Sequence, residues 1–180
     1  GDDQEVLFKA YANEHYSAVR YVNWTLDNLS NLHPVALPYN YAQYIDKIYG
    51  GIRPTDALPP FSCINWVELN NMERDVSSGV LNGYTHAMPY YGEQQYYELI
   101  GKYEQFSRGW DDSDPNNPLE SAIPVKTTSK RFFEYAAMRA KANDYYDVAS
   151  TFAGVIVVNH IVSAIDAFWS ASRFNNSLHA

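Results

Sequence analysis

Residues 90–112 read Tyr90-Tyr91-Gly92-Glu93-Gln94-Gln95-Tyr96-Tyr97-Glu98-Leu99-Ile100-Gly101-Lys102-Tyr103-Glu104-Gln105-Phe106-Ser107-Arg108-Gly109-Trp110-Asp111-Asp112, and this stretch decides the fold class. Tyr96, Leu99, Tyr103, Phe106 and Trp110 recur at steps of three and four, the spacing that puts side chains on one face of an α-helix. The stripe predicts a helix whose apolar face enters a core. Gln94, Gln95, Glu98, Lys102 and the Asp111/Asp112 pair are left over as polar residues, and their spacing forms no catalytic constellation.

Upstream, Leu7, Tyr11, Ala18, Val22, Thr25 and Leu29 fall mostly at helical steps with no Gly or Pro between them, which predicts one long helix over 5–29. His33-Pro34 should stop it, because the residue before proline is pushed out of the α region. A shorter helix is expected over 39–49, with Tyr41, Tyr44, Ile45 and Ile48 inward and Gly50-Gly51 ending it. Pro54, Pro59 and Pro60 make 50–61 an ordered or semi-extended connector. Ser62 is expected to cap a helix running to about Asp75, with Ile64, Val67 and Met72 inward and Glu68, Asn70, Asn71 and Glu73 on a polar side. Gly79, Gly83 and Pro89 mark a loop before the opening stretch.

Downstream, 111–118 is an acidic, turn-rich loop whose Asp and Asn side chains can bond their own backbone. Ser129 should cap a final helix from Lys130 to about Asn175, with Gly154 its weak point and the place for a kink. No strand pattern, internal repeat or low-complexity tract stands out. The expected fold is therefore all-α: an irregular bundle of about five helices with long Pro/Gly-rich loops and a long C-terminal helix, forming a single domain over 1–180.

The 180 residues suffice for one hydrophobic core. A formal charge of -8 and the lack of any Lys/Arg cluster argue against a nucleic-acid partner. Sixteen Tyr and four Trp supply amphipathic contact area for packing, interfaces or sugar stacking. A single Cys63 rules out an internal disulfide framework and any zinc site built on two thiolates. Gly1 precedes Asp2-Asp3-Gln4-Glu5 with no initiator Met. That opening reads as a cloning remnant on a trimmed chain, which fits a removed export signal and leaves a cytoplasmic protein open as the alternative.

Within the last helix, 148–165 carries no formal charge if His160 is neutral, a length at the threshold for a membrane span. Ser150, Thr151, Asn159, His160 and Ser163 interrupt it, which favours a buried helix in a soluble domain over one contacting a membrane. Asn159, Ser163, Asp166, Ser170 and Arg173 form a heptad-like polar seam. The seam is either a solvated face or a buried network in which Asp166 bonds an Arg or Tyr of another helix; the apolar neighbours favour the network.

Motifs that would name a reaction are missing. The histidines His15, His33, His86, His160 and His179 have no metal-ligand spacing, and there is no nucleophile elbow and no phosphate loop. Glu98 with Glu104, or Glu68 with Glu73, could be offered as acid/base pairs, but Glu98 is spaced to pair with Lys102 instead. Asp112, Asp114 and Asn116 match the first half of a calcium loop. Asn117, Pro118 and Ile123 stand where its turn glycine, next ligand and closing glutamate should be, so an Asx-rich turn is the simpler reading. Tyr39, Tyr41, Tyr44, Trp66, Tyr90 and Tyr91 could stack on a sugar or lipid, although aromatic residues at helical spacing are usually core. No catalytic residue, metal or cofactor is assigned.

Gly83-Tyr84-Thr85-His86-Ala87-Met88-Pro89, Gln94 to Tyr103, Gly109-Trp110-Asp111-Asp112 and Asn159-His160-Ile161-Val162-Ser163-Ala164-Ile165-Asp166-Ala167 together resemble uncharacterised envelope proteins of Gram-negative bacteria. The resemblance covers 83–175. It implies an exported protein, periplasmic or associated with the outer membrane, with a possible envelope protein or membrane surface as partner and no assigned reaction. It also singles out His86, Gln95, Glu98, Lys102, Trp110, Asn159, His160 and Asp166 as one polar or ligand-contacting set. The leading expectation is a non-enzymatic structural or interaction module, soluble without detergent. A module binding a small glycan, peptide or lipid through its aromatic loops comes second, and a hydrolase with a carboxylate/His pair third.

Overall fold

A computed structural model describes residues 2–32, 37–78, 84–114, 116–117 and 126–178. The readings placed on His33-Pro34, Gly79, Gly83, Pro118, Ile123 and His179 lie outside those residues. The chain is all-α. Helices α1 (Asp2–His15), α2 (Ala18–Asp27), α3 (Leu29–Leu32), α4 (Tyr41–Tyr49), α5 (Trp66–Ser77) and α6 (Gln94–Leu99) are followed by a 3-10 helix (Glu104–Gly109) and by α7 (Lys130–Leu178). Among the described residues the β component is one isolated bridge, between Tyr16 and Trp110.

That bridge explains the first correction. The single helix expected over 5–29 is broken at Tyr16-Ser17, because the backbone there bonds Gly109 at the end of the 3-10 helix and Asp111 beyond it rather than the preceding turn alone. Ser17 N donates to the Gly109 carbonyl (2.8 Å) and Asp111 N donates to the His15 carbonyl (3.0 Å). Ser17 then caps α2 by accepting from Arg20 N. Periodicity survives a break of this kind, so it could not reveal it.

Helix α4 starts on an Asn40/Gln43 capping box and ends on Gly50 in the left-handed region. Its buried residues are Tyr44, Ile48 and Tyr49, while Tyr41 is exposed. The connector after it is pinned as expected. Asn23 Nδ2 donates to the Pro54 carbonyl (2.8 Å), Ser17 Oγ to the Ala57 carbonyl (3.1 Å), and Arg20 pairs with Asp56 (3.2 Å). Helix α5 is capped by Asn65, not by Ser62, and Asn65 N also donates to the Ile48 carbonyl at the end of α4 (2.8 Å). Its core stripe is Leu69, Met72, Glu73 and Val76. Val67, expected inward, is exposed, and Glu73, expected outward, is 2% exposed.

The opening stretch is not one helix. Helix α6 stops at Leu99 and the chain turns at Gly101 before the 3-10 helix. A Cβ on Gly101 would lie 2.3 Å from the Tyr135 ring, and one on Gly109 would lie 2.3 Å from the Tyr16 ring. Both positions admit only glycine because an aromatic side chain occupies the space. Tyr96, Phe106 and Trp110 are buried as the stripe predicted, whereas Leu99 and Tyr103 are half-buried and Ile100, off the stripe, is buried; Tyr16, Tyr96, Trp110 and Tyr135 form a chain of edge-on and tilted ring contacts with centroids 5.0–6.1 Å apart.

Packing divides the chain into two units, Asp2–Arg139 and the remainder from Ala140. In the second, α7 continues unbroken through Gly154, and every residue from 143 to 175 is exposed. The burial expected for 148–165 is overturned, and so is the buried network expected around Asp166. No other described element belongs to this unit to cover them.

Candidate functional site

The eight residues of the expected polar set fall into distinct surroundings. Glu98 and Lys102 form an exposed i,i+4 pair (3.1 Å) at the end of α6. Lys102 Nζ lies 5.5 Å from the centre of the Tyr103 ring, and His86 stacks on that ring with centroids 3.6 Å apart. Glu98, Lys102, Tyr103 and His86 thus make one surface row. No hydrogen bond joins His86 to Glu98: the His86 Nδ1 partner is the Thr85 hydroxyl (2.7 Å). Gln95 is exposed. Trp110 is interior, 1% exposed, with Nε1 donating to the Ile100 carbonyl (3.0 Å). Asn159, His160 and Asp166 are exposed in the second unit.

Beneath the surface row lies a polar interior that the sequence reading missed. Segment 84–88 has no regular structure, so its backbone groups need side-chain partners. Gln105 provides them, accepting from Thr85 N (3.0 Å) and His86 N (3.1 Å) through Oε1 and donating through Nε2 to the His86 carbonyl (2.6 Å). Met88 N donates to Glu73 Oε2 (2.8 Å), and the Tyr21 hydroxyl donates to Glu73 Oε1 (2.6 Å). Gln105 Nε2 also reaches the Tyr21 hydroxyl (3.3 Å), and the Tyr84 hydroxyl shares a hydrogen bond with Thr25 (2.6 Å). Burial pushes the Glu73 carboxyl up to about 8, against the pull of its two donors and of Arg74. The same burial holds the Tyr21 hydroxyl far above the usual tyrosine range. One sequence signal does mark Glu73: it stands between Met72 and Val76 on the stripe begun by Leu69.

The Asp111/Asp112 pair has a third role. Asp112 Oδ2 accepts from Arg131 N (3.1 Å) at the first turn of α7, and Asp112 Oδ1 accepts from the Ser129 hydroxyl. Ser129 caps the helix as expected, its Oγ accepting from Phe132 N (3.0 Å). Asp111 holds Arg131 Nε (2.8 Å) and His15 Nδ1 (3.2 Å), while Arg131 also contacts His15. Tyr11 lies against the His15 ring and donates to Glu134 (2.6 Å). Removing one carboxylate should show what this junction contributes. Asp112→Ala is expected to lower stability by about 1–2 kcal/mol, read from the urea midpoint; an unchanged midpoint would mean that Ser129 alone caps α7.

These bonds also use the candidate calcium ligands. Asp112 is engaged as above, and Asp114 Oδ1 accepts from Asn116 N (2.9 Å) in an Asx turn. Among the described residues no group of three or more His, Cys, Asp or Glu side chains could hold a metal ion. The aromatic candidates are also largely engaged. Lys47 lies 4.5 Å from the Tyr39 ring centre, Arg53 lies 5.8 Å from that of Tyr41, and Tyr91 packs on Phe61 and Tyr96. Tyr44 is buried and donates to Asp75 (2.8 Å). Tyr90 is exposed, and its ring centroid lies 6.0 Å from that of Trp66, which is half-buried and packs edge-on to Tyr96. Chemically the arrangement orders a loop and caps a helix.

No protein-family model, curated protein or solved structure matches this chain.

Proposed function

We propose that this chain is a non-enzymatic structural or interaction module of an exported cell-envelope protein. The observation that carries the reading is how its most distinctive polar side chains are used. Gln105 and Glu73 hold the 84–88 segment, Asp112 caps α7, and Asp111 ties α1 to α7 through His15 and Arg131. Groups bonded in this way order the backbone and present no reactive atom to a substrate. The envelope setting, periplasmic or at the outer membrane, is supported by the resemblance of 83–175 to exported proteins and by the apolar helix of the second unit.

A small-ligand module is the second reading, favoured by the exposed tyrosines Tyr39, Tyr41 and Tyr90, the last beside Trp66. A thermal-shift screen against glycans, peptides, lipids and divalent cations separates the two. The structural reading expects no saturable shift. A saturable shift lost in Trp66→Ala or Tyr90→Ala would replace it with the ligand-binding one.

A further inference from the structure

Among the described residues the second unit is one helix whose residues 143–175 are all exposed, and its chemistry differs from that of an ordinary amphipathic surface helix. Between Asp147 and Asp166 there are eighteen consecutive residues without Asp, Glu, Lys or Arg. At ~1.5 Å per residue they extend about 27 Å, close to the ~30 Å hydrocarbon thickness of a bilayer. Mean hydropathy in the most apolar window of α7 reaches 1.8, with none of that window buried. Apolar side chains point in all directions: Val155, Ile156, Val157 and Val158 are consecutive, and each is more than half exposed. A soluble partner covering one face would leave the others in water.

Two of the five polar side chains inside the segment, which are Ser150, Thr151, Asn159, His160 and Ser163, bond their own helix in a manner hydrocarbon tolerates. Thr151 Oγ1 donates to the Asp147 carbonyl (2.9 Å) and Ser163 Oγ to the Asn159 carbonyl (2.8 Å), so both hydroxyls are satisfied within their own helix. Of the heptad-like seam only Asn159 and Ser163 fall inside the window; Asp166, Ser170 and Arg173 lie past its end. Aromatic residues bracket the segment, Tyr145 and Tyr146 before it and Phe168 and Trp169 after it. From Tyr146 to Trp169 the helix rises about 34 Å, which puts the rings at the two interfacial levels where Tyr and Trp are enriched.

We propose that residues 148–165 cross a lipid bilayer, with Tyr145/Tyr146 and Trp169 at its two surfaces. The occupant of the uncovered helix is hydrocarbon, and the proposal does not depend on the envelope module being non-enzymatic. The test uses the full chain in phosphatidylcholine vesicles, on a Cys63→Ser background with single cysteines introduced by Asp144→Cys, Val157→Cys or Asn175→Cys. The chain is expected to float with vesicles through salt and alkaline carbonate washes. Position 157 should resist an impermeant maleimide until detergent is added. A chain carrying cysteines at both 144 and 175 should be labelled at one of them, never both, while the vesicles are intact.

Labelling at both flanks would show a helix lying on the surface and overturn the crossing. Failure to float, with the chain dispersed in buffer as a monomer or self-associated through this helix, would overturn it as well. Val157→Asp should abolish carbonate-resistant flotation while the near-ultraviolet dichroism of the aromatic core persists, which separates lost insertion from lost folding. A saturable ligand shift in the screen above would sink the structural reading and leave this one standing.

Discussion

Trp110→Ala is expected to lower the unfolding free energy by about 3–5 kcal/mol, the range for emptying a large aromatic site in a core. Trp110 lies where several elements meet. Its ring touches Tyr16, Tyr135 and Tyr11 at centroid distances of 5.2, 5.0 and 6.1 Å, and its Nε1 donates to Ile100. Its backbone pairs with Tyr16 in the bridge that breaks the N-terminal helix in two. Truncation would open a cavity and leave the buried Ile100 carbonyl without its donor. Trp110→Phe keeps most of the packing and loses the bond, so it should cost less, about 1–3 kcal/mol. Urea titration of the full chain, followed by near-ultraviolet dichroism, reads both; a change under about 1 kcal/mol for Trp110→Ala would mean that the ring cluster does not depend on it.

The second large effect is a pH dependence from Glu73. Its folded value of about 8 stands above the ordinary 4.5 of a glutamate, so the folded chain holds the proton more tightly than the unfolded one. The contribution is therefore fully present below about pH 4.5, falls as pH rises through the interval up to about 8, and is gone above it. At ~1.4 kcal/mol per unit the difference across that interval is on the order of 3–5 kcal/mol. Stability measured at pH 5 should exceed that at pH 8, and Glu73→Gln should remove most of the slope and be the more stable chain at pH 8. Its amide retains an acceptor for Met88 N without a charge to bury. Glu73→Ala should be destabilised throughout, because Tyr21 and Met88 N lose their partner. Stability that climbs from pH 5 to pH 8 in the native chain, with the same climb in Glu73→Gln, would remove Glu73 as the cause.

Both predictions concern residues whose importance the sequence disclosed unequally. Trp110 was on the stripe and its burial was expected; the partners that make it costly to remove come from segments more than twenty residues away, Tyr16 and Tyr135. Glu73 lies on the buried face although a carboxylate in a helix is usually solvated, and in the sequence only the Leu69, Met72, Val76 spacing points to it. Ser129 and Gly50 were legible as caps since capping is local chemistry. Asn65 displaced Ser62 as the cap of α5 because its backbone N–H is taken by the Ile48 carbonyl, a contact from another helix.

By itself the sequence determined the helical class, the apolar members of residues 90–112, the ordered proline connector and a charge-free run long enough to span hydrocarbon. These follow from periodicity, capping and composition, which act over a few residues. Tertiary structure decided where the helices break, which polar side chains go inside, and that 148–165 is exposed among the described residues. A tyrosine ring lies against the glycine that ends each half of the opening stretch, Tyr135 against Gly101 and Tyr16 against Gly109. Such close approaches are set by residues distant in the chain, so the spacing of the stripe alone could not show that one apparent helix is folded into two.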